Sequence, residues 1–162
     1  MATKNGYSVL QIALHWIIAV LIVTAWLISD GMGEALRARL QTGATGTEGN
    51  TAHVWLGGAT FLLILIRLIV RWVQGAPDPV AGGSEMMEKA GIWGHRLLYL
   101  LMIVTPALGA ITWYGGVRAT GDLHEVASNA LLIVAAGHAA MAIIHQYVLR
   151  DGSLDRMTRQ GG

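Results

Sequence analysis

Cysteine does not occur among the 162 residues, and its absence removes several chemistries at once. A structural disulfide, a cysteine-ligated iron–sulfur cluster, a thiolate-bound haem and a C-x-x-C-H haem attachment all need the thiol. Any haem in this chain would therefore have to be held noncovalently. Charge is also scarce: 13% of residues are charged, against about 25% in an ordinary soluble domain. Eleven basic and ten acidic side chains leave a net charge of +1. That is no large basic field of the kind that recruits nucleic acid, and no nucleic-acid partner is expected. A signal-peptide cleavage site is missing too. The first apolar stretch begins at Val9 after a single Lys4, runs about as long as a full membrane span, and is followed by no small-residue processing motif, so it reads as a retained span.

What is present is hydrocarbon. Hydrophobic residues make up 54% of the chain and mean hydropathy is +0.51, which points to an integral membrane protein. Four stretches, roughly 9–28, 53–73, 92–114 and 123–149, approach or exceed the about 20 residues needed to cross a hydrocarbon core as helix. None alternates with period two, so helices rather than a barrel satisfy the backbone in lipid. The expected fold is all-α, a four-helix transmembrane bundle forming one domain over residues 1–162. The connectors DGMGEALRARLQTGATGTEGN, QGAPDPVAGGSEMMEKAG and GGVRATGD read as loops. EALRARLQ and SEMMEKAG have some helical character, are read as ordered loop, and are given no role. Basic residues are divided unequally between the two sides: Lys4, Arg67, Arg71, Lys89, Arg96, Arg150, Arg156 and Arg159 on one, Arg37, Arg39 and Arg118 on the other. This asymmetry predicts both termini in the cytoplasm. Trp16, Trp55, Trp72, Trp93, Trp113 and Tyr147 lie near span ends and read as an interfacial aromatic belt. Pro106, inside the third span, reads as a tolerated kink.

The histidines do not fit a hydrocarbon environment without a reason. His124 and His138 stand fourteen residues apart on the fourth span. At about 1.5 Å and 100° per residue, they share a helix face roughly 21 Å apart in depth. With alternating span directions, His15 matches the depth of His138 and His53 that of His124. Two cross-helix pairs at two depths are what two stacked haems need, each iron taking one axial imidazole from either side. Gly57 and Gly137 lie where a macrocycle could approach backbone closely. Arg67, fourteen residues after His53, projects from the same face at the depth of the inner pair, where haem propionates would lie. An intramembrane Arg costs a few kcal/mol unless it is paired or snorkels to the headgroups. His95 and His145 remain near the cytoplasmic surface as candidates for contacting a propionate or a quinone.

The pattern resembles the bacterial cytochrome b561 family of small di-haem membrane cytochromes. The resemblance is carried by LQIALHW at 10–16, AHVWLGG at 52–58 followed by LIRLIVR at 65–71, GHRLLYLLMIVTPALG at 94–109, LHEVASNALLIVAAGHAAMAIIHQY at 123–147 and LDRM at 154–157. Taken position by position, it implies His15 with His138 on a cytoplasmic-side haem b and His53 with His124 on a periplasmic-side haem b. It also implies a place in the bacterial inner membrane, exchange of electrons with ubiquinone or another quinone, and in some members oxidation of superoxide at the outer surface. GGVRATGD is shorter than the family's usual outer loop, which bears on any outer-surface substrate site.

With both axial positions filled, neither iron would bind oxygen, so outer-sphere electron transfer is the expected role. One alternative makes the chain the haem-bearing membrane subunit of a larger oxidoreductase fed by a periplasmic electron donor. Another, from a different class, is a metal-ion transporter using histidines and the seven methionines as soft ligands; the lack of carboxylates inside the spans weighs against it. Membrane lipid is the expected surrounding. A homodimer is compatible with the sequence and not required by it.

Overall fold

The computed structural model describes residues 6–77 and 85–159; Lys4, part of the charge count above, lies outside them. Ser8 opens helix α1 (Val9–Leu27) with a reciprocal cap. Its hydroxyl accepts from the Gln11 N–H at 3.2 Å, and the Gln11 side chain accepts from the Ser8 N–H at 3.2 Å. Two of the otherwise orphaned donors at the helix start are thereby satisfied. Helix α2 (Met32–Thr42) is short and polar and begins and ends on left-handed Gly31 and Gly43. Helix α3 (Ala52–Gln74) starts on a Thr51 cap. Helices α4 (Glu85–Gly115) and α5 (Ala119–Ile144) follow, and α5 runs on through a π-helical turn over His145–Leu149 into a short 3-10 turn at Asp155–Met157.

Four of these helices are long and apolar enough to cross a membrane. They pack as α1 on α3 and α4 on α5, joined mainly through α3 and α4. The buried core is small and lies between α1 and α3: Leu14, Ile18 and Ile64, with Leu63, Leu68 and Met102 against it. Large aliphatics such as Val20, Leu62, Ile69 and Ile133 face outward. That inverts a soluble domain and suits a bundle whose solvent is lipid.

Cross-links between elements define two ends. At one, the Ser8 hydroxyl meets Gln74 Oε1 at 2.6 Å, Gln11 Nε2 donates to the Gly75 carbonyl at 2.8 Å, and Trp16 Nε1 donates to the Met157 carbonyl at 2.8 Å. This is the terminal end. At the far end lie α2, Asn50, Trp113 and the α4–α5 turn.

Four sequence expectations change here. EALRARLQ, read as ordered loop, lies within helix α2. Residues 85–91, read as loop, form the first turns of α4, where a Glu85–Lys89 pair one turn apart at 2.5 Å supports a helix that outruns its apolar segment. GGVRATGD is mostly helix as well. Its turn shrinks to residues 116–118, made possible by Gly116 at φ +68°. Trp113 is not a belt residue: it is buried, and its Nε1 donates to Asn50 Oδ1 at 2.7 Å. Arg39 explains why. Drawn from the helix given no role, it is buried beneath the loop over 43–50, donating to the Gly46, Glu48 and Trp113 carbonyls and lying 5.1 Å from the Trp113 ring centre.

Candidate functional site: two histidine pairs

At the far end, His53 in the first turn of α3 meets His124 of α5. Their ring centres are 6.1 Å apart and the planes stand at 86°. Each ring is oriented by backbone. His53 Nδ1 lies 2.8 Å from the Ala25 carbonyl of α1, and His124 Nδ1 lies 2.8 Å from the Thr105 carbonyl of α4. A carbonyl oxygen only accepts, so Nδ1 carries the proton in both rings and Nε2 presents its lone pair. Gly109 makes room for this on α4. A Cβ at that position would meet His124 Cε1 at 3.0 Å and Nδ1 at 3.1 Å.

Toward the terminal end, His15 of α1 meets His138 of α5 with ring centres 6.4 Å apart and planes at 70°. Among the described residues no hydrogen bond reaches either ring. His95 of α4 packs edge-on against His138, 5.0 Å between centres, with its own Nδ1 on the Gly91 carbonyl at 2.7 Å. Arg67 is 9% exposed and donates Nη1 to the Gln11 carbonyl, one turn before His15, at 2.9 Å. It is therefore held inside the bundle rather than snorkelling to headgroups. A pocket beside it is lined by Tyr7, Gln11, Arg67 and Arg71.

The spacing within the pairs has room for a shared metal. A metal–imidazole bond of about 2 Å, with the nitrogen about 1.1 Å from the ring centre, puts two axial imidazoles on one metal about 6.3 Å apart between centres. The observed 6.1 and 6.4 Å match. Among the described residues no cluster of three or more His, Cys, Asp or Glu could hold a bare ion. Pairs of imidazoles suit a metal whose remaining ligands come from a macrocycle. Among the described residues the interior also carries one unanswered donor. Thr24, Thr60 and Thr112 give their hydroxyls to the carbonyl four residues back, whereas Thr105 Oγ1, beside the far pair, is buried with no partner. Such a group costs about 1–3 kcal/mol unless something supplies an acceptor. At Gly57 and Gly137 an added Cβ would meet nothing within 4 Å, so neither glycine is filled by protein.

The family model for prokaryotic cytochrome b561 matches residues 6–160. The chain belongs to the prokaryotic cytochrome b561 family. It is 38% identical over 159 residues to the cytochrome b562 of Cereibacter sphaeroides, covering 98% of this chain and 99% of that protein. It is 29% identical to the probable superoxide oxidase CybB of Yersinia pestis, covering 93% of this chain and 94% of that protein. Cytochrome b561 homolog 1 of Escherichia coli K12 is 26% identical, covering 94% and 97%. As a cytochrome b561 family protein with four spanning helices, the chain is a multi-pass bacterial membrane protein of electron transfer, and haem b is the cofactor the family implies.

Within this family member the structure brings His15 to His138 and His53 to His124, and sets Arg67 and His95 beside the former. It does not bring His145 into that group. His145 Nδ1 lies 2.5 Å from Asp151 Oδ2, and Asp151 also accepts from the Ser153 hydroxyl and backbone N–H. Sequence reading did not find Ala25, Thr105, Gly109 or Arg39. The first two act through backbone carbonyls, which carry no residue signature. Gly109, in TPALG, had a signal only as a small residue facing a span rich in histidine.

Proposed function

We propose that this cytochrome carries electrons across the bacterial inner membrane through two haem b groups, one between His15 and His138 and one between His53 and His124, and delivers them to ubiquinone. The observation that carries this is the pair of imidazole couples at bis-axial spacing, the far one with both Nε2 lone pairs left free by backbone bonds at Nδ1. When bound, such six-coordinate groups supply one-electron outer-sphere transfer, with no open position for oxygen.

The chain's own residues do the rest. Backbone carbonyls at 25 and 105 hold the far imidazoles in one tautomer. Arg67, buried and among the described residues without a carboxylate partner, is suited to a propionate of the terminal-end group. Gly57 and Gly137 leave clearance for a macrocycle. The excess of basic residues at the terminal end supports a cytoplasmic position for both termini. There His95, exposed and against His138, offers an imidazole to a quinone carbonyl and a proton route from water. His145, paired with Asp151, is a second proton carrier at the same end.

At the outer face we assign superoxide as donor, in keeping with the printed name of the Yersinia relative. Two superoxide ions give up one electron each and leave as dioxygen, and those two electrons with two cytoplasmic protons convert quinone to quinol. The test uses purified holoprotein in liposomes containing ubiquinone, with superoxide generated outside. Quinol should form with superoxide loss at two to one. Two-haem protein that forms no quinol contradicts the proposal.

A further inference from the structure

Packing closes three of the four sides of the bundle. Among the described residues α1 lies on α3, α3 on α4 and α4 on α5, whereas α1 and α5 do not pack closely against each other. The terminal histidine pair spans this fourth side, since His15 belongs to α1 and His138 to α5. The far pair spans α3 and α5, and both of those helices pack on α4. Packing therefore fixes the separation of the far pair and leaves that of the terminal pair to other contacts.

Two indole groups of α1 reach across the open side. Trp26 Nε1 donates to Asn129 Oδ1 of α5 at 3.0 Å. Trp26 stands eleven residues after His15 and Asn129 nine before His138, about 16 and 14 Å along their helices, so this bond lies on the far-end side of the pair. Asn129 is exposed on the outside of a spanning helix. An amide facing hydrocarbon is costly unless answered, and there no water competes with the indole. On the other side of the pair, Trp16 adjoins His15 and stands edge-on to its ring, 5.2 Å between centres, while its Nε1 donates to the Met157 carbonyl at 2.8 Å. Met157 belongs to the segment 150–159, which doubles back from the end of α5 where Arg150 turns the chain at φ +56°. That segment is pinned to the π-helical turn. His145 Nδ1 lies 2.5 Å from Asp151 Oδ2, Gln146 Oε1 accepts from the Leu154 N–H at 3.1 Å, and Gln146 Nε2 donates to Asp155 Oδ2 at 3.0 Å. The Met157 link is thus a second tie between α5 and α1.

We propose that Trp26 and Trp16 are positioning residues for the His15–His138 centre, their indole bonds to Asn129 and to the Met157 carbonyl holding α1 at the distance from α5 that a haem between those helices needs. This rests on the two-haem reading above. It assigns a role to a polar side chain on the lipid-facing surface of α5 and to the segment that follows that helix. Neither touches an imidazole, so both act through the placement of α1.

The experiment records the low-spin ferric electron paramagnetic resonance signals of purified holoprotein, with haem per chain counted on the same sample. The terminal signal is the one lost in His15→Ala, and the far signal the one lost in His53→Ala. Trp26→Phe and Asn129→Leu should each shift or broaden the terminal signal and leave the far one in place. Each should also speed transfer of the terminal haem to excess apomyoglobin by about three- to tenfold, the worth of one such bond. The double variant should do no more than either single one. Trp16→Phe should act on the same signal, and so should Gln146→Leu combined with Asp151→Ala, which frees the segment without touching Trp16. An unchanged terminal signal with haem loss within twofold of wild type in Trp26→Phe and Asn129→Leu overturns the proposal. So do equal effects at both centres, which would mark a merely structural role, and additive effects in the double variant. A wild-type count below two haems defeats the two-haem reading, and the positioning role falls with it only if His15→Ala then removes no haem.

Discussion

Replacing Arg39 by Met tests whether a helix that looks unremarkable in sequence clamps the far end of the bundle. The guanidinium donates to three carbonyls on two segments, Gly46 and Glu48 in the loop and Trp113 on α4, and lies 5.1 and 5.5 Å from the Trp113 and Tyr114 ring centres. Bonds from a charged donor are worth about 1.5 kcal/mol or more each, so the three total about 4–5 kcal/mol. Water at the far surface can take over the two loop carbonyls once the loop opens, which leaves the Trp113 bond, about 1.5 kcal/mol, and the contact with the two rings, about 0.5–1 kcal/mol, as a net loss of about 2–2.5 kcal/mol. At 1.4 kcal/mol per decade, that raises the open population of residues 43–50 by about 30- to 60-fold. Amide hydrogen exchange of this segment in detergent-solubilised holoprotein reads that population directly. Arg39→Lys keeps the charge but offers a single point donor in place of the planar fork, and should fall between wild type and Arg39→Met. A change below about threefold in Arg39→Met would show that the fork is not holding the loop. Wild-type protection in Arg39→Lys would show that charge rather than geometry matters.

Other outcomes follow from single groups. The Asp151 carboxyl is pushed up by burial, but hydrogen bonds from the Ser153 hydroxyl, His145 and the Ser153 N–H outweigh this and hold it below its ordinary 3.8. A depressed carboxyl stabilises the fold fully above its unfolded value and loses that contribution as pH falls through the folded one. Protection of residues 150–159 against protease should therefore hold from neutral pH to about 4 and drop below it, and Asp151→Asn should abolish the dependence; an acid profile identical in both proteins would contradict the assignment. Thr105→Val removes a buried hydroxyl that has no protein partner, so haem-free protein should melt at the same temperature or higher, and a clear drop would mean that the hydroxyl has a partner within the fold. His95→Phe should leave both haem bands in place while slowing oxidation of reduced protein by a soluble ubiquinone analogue. Unchanged oxidation kinetics would remove His95 from the proposed quinone site.

The spans were legible because hydrocarbon needs uninterrupted apolar length, and α1 and α3 end within a residue of where hydropathy alone puts them. The pairing of histidines was legible for a related reason. Fourteen residues is close to a whole number of helical turns, so His124 and His138 share a face whatever surrounds them, and depth then selects His53 and His15 as partners. Polar helix was harder to see. EMMEKAG and the residues after Arg118 lack an apolar stripe, and their helicity comes from continuity with a neighbouring span rather than from their own pattern. What holds the rings was not legible at all. The acceptors at 25 and 105 are backbone atoms brought close by packing of α1 against α3 and of α4 against α5. Trp113 illustrates the same limit, since a tryptophan at a span end satisfies the rule for a lipid interface whether or not Arg39 covers it.

Haem stoichiometry in ligand variants tests the central claim most directly. A quantitative pyridine haemochrome assay on protein produced with adequate haem should return two b-type haems per chain for wild type and one for each of His15→Ala and His53→Ala, with the double variant His15→Ala/His53→Ala returning none. One haem or none in wild type, or loss of both haems in either single variant while the chain remains folded, would contradict the assignment of one centre to each histidine pair.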